Sequence, residues 1–172
     1  VFVDTSIEDY QVFVDDILAQ QDGSKQIEIV LLDQERDGIA QISTVLNSYD
    51  HISALHIIAH GSAGSVQLGD DLLNTESLLN HADTIQNWQL ALTDDADILL
   101  YGCNVTSTMA GQSFITTLSQ LSGADVAASD DITGNVSNHG DWLLESTTGN
   151  IETQTLNSHT WQGTLAITAE GD

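Results

Sequence analysis

Apolar and polar positions along the chain change their period repeatedly, and those changes predict the elements. Residues 1–4 read as a short strand ending on Asp4. Ile7, Tyr10, Phe13 or Val14, Ile17 and Leu18 then fall at helical spacing behind Thr5 or Ser6 as a cap. Ile27–Leu32 is an apolar-rich strand finishing on Asp33, and Ile39, Ile42, Val45, Leu46 and Tyr49 stripe a helix over 37–49. Ala54-Leu55-His56-Ile57-Ile58-Ala59-His60-Gly61 and Asp97-Ile98-Leu99-Leu100-Tyr101-Gly102-Cys103-Asn104 repeat one shape: an apolar run that stops at a reactive side chain beside a glycine. Runs of this kind mark strands buried on both faces of a parallel sheet.

Between those two strands, Ser65–Leu68 and Asp71–Leu73 around Gly69-Asp70 predict a hairpin, and Asn74 opens a helical stretch to about Leu92. A helix from Thr106-Ser107 runs through Met109, Phe114, Ile115, Leu118 and Leu121 to Gly123. Ala124–Ser129 is a fifth parallel-type strand ending on Asp130-Asp131. Trp142–Thr147 and Ile151–Thr155 flank Thr148-Gly149-Asn150 as a C-terminal antiparallel hairpin. Alternating strands and helices through residue 129 predict an α/β fold: a mostly parallel central sheet with helices on both faces. Residues 1–156 form this domain, and 157–172 are expected to be a tail or linker to a following module.

Length and composition narrow the picture. The 172 residues suffice for one domain with a substantial core, and the apolar runs fall short of the roughly 20 residues of a membrane span. The chain opens directly on a strand, which is expected of a domain excised from a longer protein. Its 26 acidic residues against Lys25 and Arg36 give a net charge of −24, which repels nucleic-acid phosphates and anionic lipid. A salty extracellular setting or bound Ca²⁺ would each relieve that self-repulsion. With a single cysteine, no internal disulfide and no Cys-rich zinc site can form.

Cys103 is therefore either a buried small hydrophobe or a nucleophile. In an open α/β sheet, ligands bind beyond the carboxyl ends of the strands. Adjacent strands ending in His60 and Cys103 would bring a general base and a thiol over one crevice, the thiol favoured as thiolate by the following helix. The N–H groups of Gly61 and Cys103 are candidate oxyanion donors. That set performs acyl transfer through a thioester and requires no cofactor.

The sequence of apolar strand, His-Gly, short hairpin, apolar strand and small residue-Cys resembles the caspase-like cysteine peptidases, among them legumain, gingipains and clostripain. The matching residues are Ile57–Gly61 and Leu99–Cys103, with Val126–Asp131 similar to the strand bordering that clan's specificity pocket. From Val1 to about Thr155 the chain also resembles an uncharacterised N-terminal domain of very large secreted bacterial adhesins and calcium-binding repeat proteins. The resemblance implies a three-layer caspase-like sandwich, secreted or at the cell surface, joined to other adhesin modules. Its implied activity is endopeptidase action on a polypeptide, the parent chain included.

Asp4, Asp33 and Asp130 all fall at predicted strand ends, where they either select a basic residue before the scissile bond or serve as caps and turn residues. The pairs Asp15-Asp16, Asp70-Asp71, Asp94-Asp95 and Asp130-Asp131 are candidate Ca²⁺ ligands, though none fits an EF-hand loop. His51 is expected in a turn and His56 facing the helices that cover the sheet, and His81, His139 and His159 have no metal-ligand spacing between them. The competing reading is a non-catalytic structural or adhesion module, calcium-binding or not, in which Cys103 is enclosed.

Overall fold

A computed structural model describes residues 1–167. Its centre is a six-stranded sheet in the order β2-β1-β3-β7-β8-β9, built from β1 (Phe2–Asp4), β2 (Val30–Leu32), β3 (Ile52–Ile58), β7 (Leu92–Tyr101), β8 (Asp125–Ala128) and β9 (Ser146–Thr147). All neighbours are parallel except β8 and β9. A second, antiparallel sheet joins β4 (His60–Ser62), β5 (Ser65–Leu68) and β6 (Asp71–Leu73). No helix among the described residues is long and apolar enough to cross a membrane.

The period of two along the strands divides the core into two layers. Phe2, Leu55, Ile57, Ile98, Leu100 and Val126 face one side, with α2 (Gly38–Leu46), α3 (Thr75–Asn80), α4 (Ala82–Gln86) and α5 (Met109–Ser122) supplying the apolar cover. Val3, Ile58, Leu99, Tyr101 and Cys103 face the other, against Phe13, Val14 and Ile17 of α1 (Tyr10–Ala19). The result is the expected three-layer α/β arrangement.

Several local expectations give way to tertiary contacts. α1 starts at Tyr10 rather than behind Thr5, because the Thr5 N–H and hydroxyl both donate to the Leu32 carbonyl on β2, at 3.1 and 2.8 Å. The stretch 74–92 breaks into α3, α4 and a 3₁₀ turn over Asn87–Leu90. The C-terminal hairpin does not form. Ser146–Thr147 pairs with β8 instead, and the Glu152 and Thr153 N–H groups donate to the Asp97 carboxylate at 3.0 and 2.9 Å.

The tail beyond 156 is the largest correction. Leu156, Trp161 and Leu165 are buried in the layer that contains α1 and Cys103. Trp161 donates from Nε1 to the Glu8 carbonyl at 2.9 Å and packs edge-on to Phe13 at a 6.1 Å centroid distance. Residues 157–167 are thus part of the domain. α1 alone leaves that face of the sheet incompletely covered, and the returning chain completes it.

Candidate active site

β3 and β7 are parallel neighbours with Ile58 opposite Tyr101, and the Ala59 N–H donates to the Tyr101 carbonyl at 3.1 Å, so this pairing leads into the turns that carry His60 and Cys103. The turns beyond the two strands touch backbone to backbone. A Cβ on Gly61 would lie 2.9 Å from the Cys103 carbonyl oxygen and 2.9 Å from the Gly102 carbonyl carbon, so only glycine permits this approach. After Ala59 the chain bends out of the main sheet into β4, which carries His60 to the crevice rim.

Cys103 has no solvent-exposed surface. Its Sγ accepts a hydrogen bond from the Thr133 N–H at 3.3 Å and donates to the Thr133 carbonyl at 3.4 Å. Burial pushes the thiol pKa up; the Thr133 and Leu165 backbone groups pull it down, and the Asp131 charge adds to the rise. The helix expected from Thr106-Ser107 begins at Met109, so its N-terminus lies further from the thiol than expected. A turn comes first, with Asn104 at φ 59° and its N–H donating to the Asp131 carbonyl at 2.7 Å.

His60 is half-buried, and its Nδ1 has no hydrogen-bond partner among the described residues. Burial lowers its pKa, opposed by the Asp4 carboxylate and by the backbones of Ser6 and Ala166. Asp4 is fully buried, its two oxygens accepting from the Ser6 N–H at 2.9 Å and the Gly69 N–H at 2.7 Å. It therefore serves as a fixed negative charge facing His60, not as a pocket for a basic side chain. Asp33 and Asp130 are exposed and follow β2 and β8, four strand intervals or roughly 19 Å apart. The three aspartates do not converge.

Both expected oxyanion donors are engaged by one acceptor. The Gly61 N–H donates to the Leu165 carbonyl oxygen at 2.7 Å, and the Cys103 N–H donates to the same oxygen at 3.1 Å. Residues 163–167 run through the crevice as an extended strand. On one side Ala166 bridges Gly61 in parallel, with the Ile167 N–H donating to the Gly61 carbonyl at 3.1 Å. On the other side Thr164 bridges Gly134 antiparallel, the Leu165 N–H donates to the Thr133 carbonyl at 2.9 Å, and the Asn135 N–H donates to the Gly163 carbonyl at 2.9 Å. Gly134 has φ 145°, and a Cβ there would lie 2.5 Å from the Gly163 oxygen. Thr133 and Leu165 are the site residues that sequence reasoning missed. The available signal was Thr164-Leu165-Ala166-Ile167, a β-prone run with no partner nearby in the chain.

A separate acidic group lies at the middle of β7 and the start of β8, where Asp97 pairs with Asp125. Asp97, Asp125 and Glu152 each offer a carboxylate oxygen within 4.8 Å of the others. Asp97 is fully buried; its Oδ2 accepts from Glu152, from Thr153 N–H and from the Thr153 hydroxyl, and its Oδ1 has no partner among the described residues. Burial raises the Asp125 pKa, with the Asp97 and Glu152 charges adding to it. An all-oxygen set of this kind suits a hard cation such as Ca²⁺. Asp130, Asp131 and Glu145 form a second trio, fully on the surface.

Over residues 1–165 the chain matches the family described as "Domain of unknown function (DUF4347)", and it belongs to that family. Neither the curated proteins nor the solved structures yielded a match.

Proposed function

We propose that this member of the DUF4347 family is a caspase-like cysteine endopeptidase domain of a larger secreted or cell-surface protein, acting on polypeptide. Cys103 is the nucleophile, His60 takes the thiol proton and returns it to the leaving amine, and the N–H groups of Gly61 and Cys103 hold the developing oxyanion. One observation carries this reading: those two N–H groups converge on a single peptide carbonyl, that of Leu165, at 2.7 and 3.1 Å. Two preorganised backbone donors on one acyl oxygen beside a thiol favour charge development at that oxygen. The extended, strand-paired peptide in the crevice is the manner in which a polypeptide adds to a sheet edge. The residue that carries the bound carbonyl is a buried leucine, so the preference we assign is for an apolar residue in place of a basic one.

A peptidyl acyloxymethyl ketone ending in leucine tests the chemistry independently of any cleavage of the chain. It is expected to alkylate the folded protein once, at Cys103, and more slowly in His60→Ala. The outcome that sinks the reading is no attachment at Cys103 in the wild-type chain or in Leu165→Arg, where the covering segment is displaced. That outcome would favour the non-catalytic module, for which the complete burial of Cys103 speaks.

A second reading stands on a different observation, the unpartnered and buried Asp97 Oδ1 beside Asp125 and Glu152. The domain would bind Ca²⁺ there, with structural effect, since the group sits at the opposite strand ends from Cys103 and ties residues 152–153 to β7. Calorimetric titration with Ca²⁺ is expected to give binding heat and a raised Tm, both lost in Asp125→Asn. If wild type gives neither heat nor a shift in Tm, the site holds no calcium.

A further inference from the structure

We propose that the chain is its own substrate and that the bond it cleaves is Leu165–Ala166, an inference that rests on the cysteine-peptidase reading above. The Leu165 carbonyl oxygen already occupies the position between the Gly61 and Cys103 N–H groups that an oxyanion would take. The Leu165 N–H lies against the Cys103 thiol, and the Ala166 carbonyl lies against His60. Thiol and imidazole therefore touch the two residues that this one peptide bond joins.

The segment is held in place by more than that one contact. Pairing with Gly61 on one side and with Thr133–Asn135 on the other immobilises Gly163 to Ile167 through four backbone hydrogen bonds besides the Cys103 one, donated by Gly61, Leu165, Asn135 and Ile167. The Leu165 side chain is 1% exposed and belongs to the apolar cluster of Val3, Ile58, Leu99 and Tyr101, so it fills the place of a specificity side chain. Trp161 anchors the approach on α1 through Glu8. A bound peptide whose electrophilic carbon is positioned in this way gains the orientation term of catalysis before reaction starts.

The reaction balances within the chain and one water. His60 removes the Cys103 Sγ proton, and sulfur adds to the Leu165 carbonyl carbon. The C–N bond to Ala166 breaks as His60 delivers that proton to the Ala166 nitrogen. Residues 166–172 leave with a new amino terminus, and the Leu165 acyl group remains on Cys103 as a thioester. Water then attacks the thioester, His60 taking its proton, which yields a Leu165 carboxylate and the free thiol. The class of substrate is an extended segment with an apolar residue before the bond and a small one after it, and removal of the distal piece detaches whatever follows residue 165.

Intact-mass and fragment-ion measurements on the 172-residue chain test this, with Cys103→Ala and Cys103→Ser run alongside and their folding checked by circular dichroism. Wild type is expected to yield residues 1–165 and 166–172, with one ¹⁸O entering the Leu165 carboxylate in ¹⁸O-labelled water, while both variants stay whole. A Cys103-dependent cut at another bond overturns this inference and leaves the peptidase reading standing. So does a folded wild-type chain that stays whole while its Cys103 takes up the peptidyl ketone. A cut at Leu165–Ala166 that persists in both variants overturns the inference and the reading together.

Discussion

Leu165→Arg is expected to release residues 163–167 from the crevice and expose Cys103 to small thiol reagents. Leu165 is buried among apolar side chains, and a guanidinium left there would have no partner: Asp4 is committed to Ser6 and Gly69, and Asp33 and Asp130 lie on the surface. The segment has an alternative to carrying a buried charge, which is to undock. The loss of leucine burial alone is worth roughly 1.5–3 kcal/mol, and 1.4 kcal/mol is tenfold in a population, so the open form should rise by about 10- to 100-fold or more. Iodoacetamide labelling of Cys103 under native conditions reads that population directly. Labelling no faster than in wild type would mean that an arginine is accommodated at position 165, and would restore a basic preference for the pocket. The same substitution is expected to stop self-cleavage, because the carbonyl would no longer rest between the two N–H donors.

Acidification should destabilise the fold through His56. Its ring lies on β3 against Tyr101, with Nδ1 and the Tyr101 hydroxyl 3.0 Å apart, and the same hydroxyl accepts from the Leu156 N–H at 2.8 Å. Burial, reinforced by the positive N-terminus and Lys25, lowers the His56 pKa to about 3. Against an unfolded value near 6.5, the folded form is the poorer proton acceptor. The stabilisation is therefore complete above pH 6.5 and is lost as pH falls from there towards 3, at up to about 1.4 kcal/mol per pH unit and roughly 4–5 kcal/mol in all. Urea unfolding of wild type and His56→Gln at pH 7, 6, 5 and 4 isolates the effect, since the 26 carboxylates titrate alike in both. The wild-type advantage should shrink steadily between pH 6 and 4. Parallel curves would show that His56 takes up its proton without cost. Burial also lowers the His60 pKa, so that ring, like His56, is a poorer proton acceptor in the folded chain than in the unfolded one.

How far the site was legible depends on the range of the interaction that made each part. His60, Gly61 and Cys103 follow apolar runs, and the parallel pairing of those runs brings the Gly61 and Gly102–Cys103 backbones into contact, so period and punctuation alone were enough to single out these turns. Asp4 sits at its predicted strand end, yet its role changed, because only the packed structure shows Ser6 and Gly69 N–H groups occupying its carboxylate. The hairpin at 142–155 was misread for a similar reason. Its two halves look like partners locally, but Ser146–Thr147 pairs with the edge of β8 and the buried Asp97 captures Glu152 and Thr153.

By itself the amino-acid sequence determined the α/β class, the two reactive strand ends and the acidic surface, since each follows from local period or composition. Tertiary structure alone decided what lies over Cys103. Residues 163–167 carry an ordinary short apolar run, and nothing local distinguishes a linker from a bound peptide. Their partners are more than a hundred residues away at Gly61 and about thirty away at Thr133–Asn135, and backbone N–H groups carry no sequence signature. Only when the sheet assembles do two such groups face one open position, and the carbonyl that fills it belongs to Leu165.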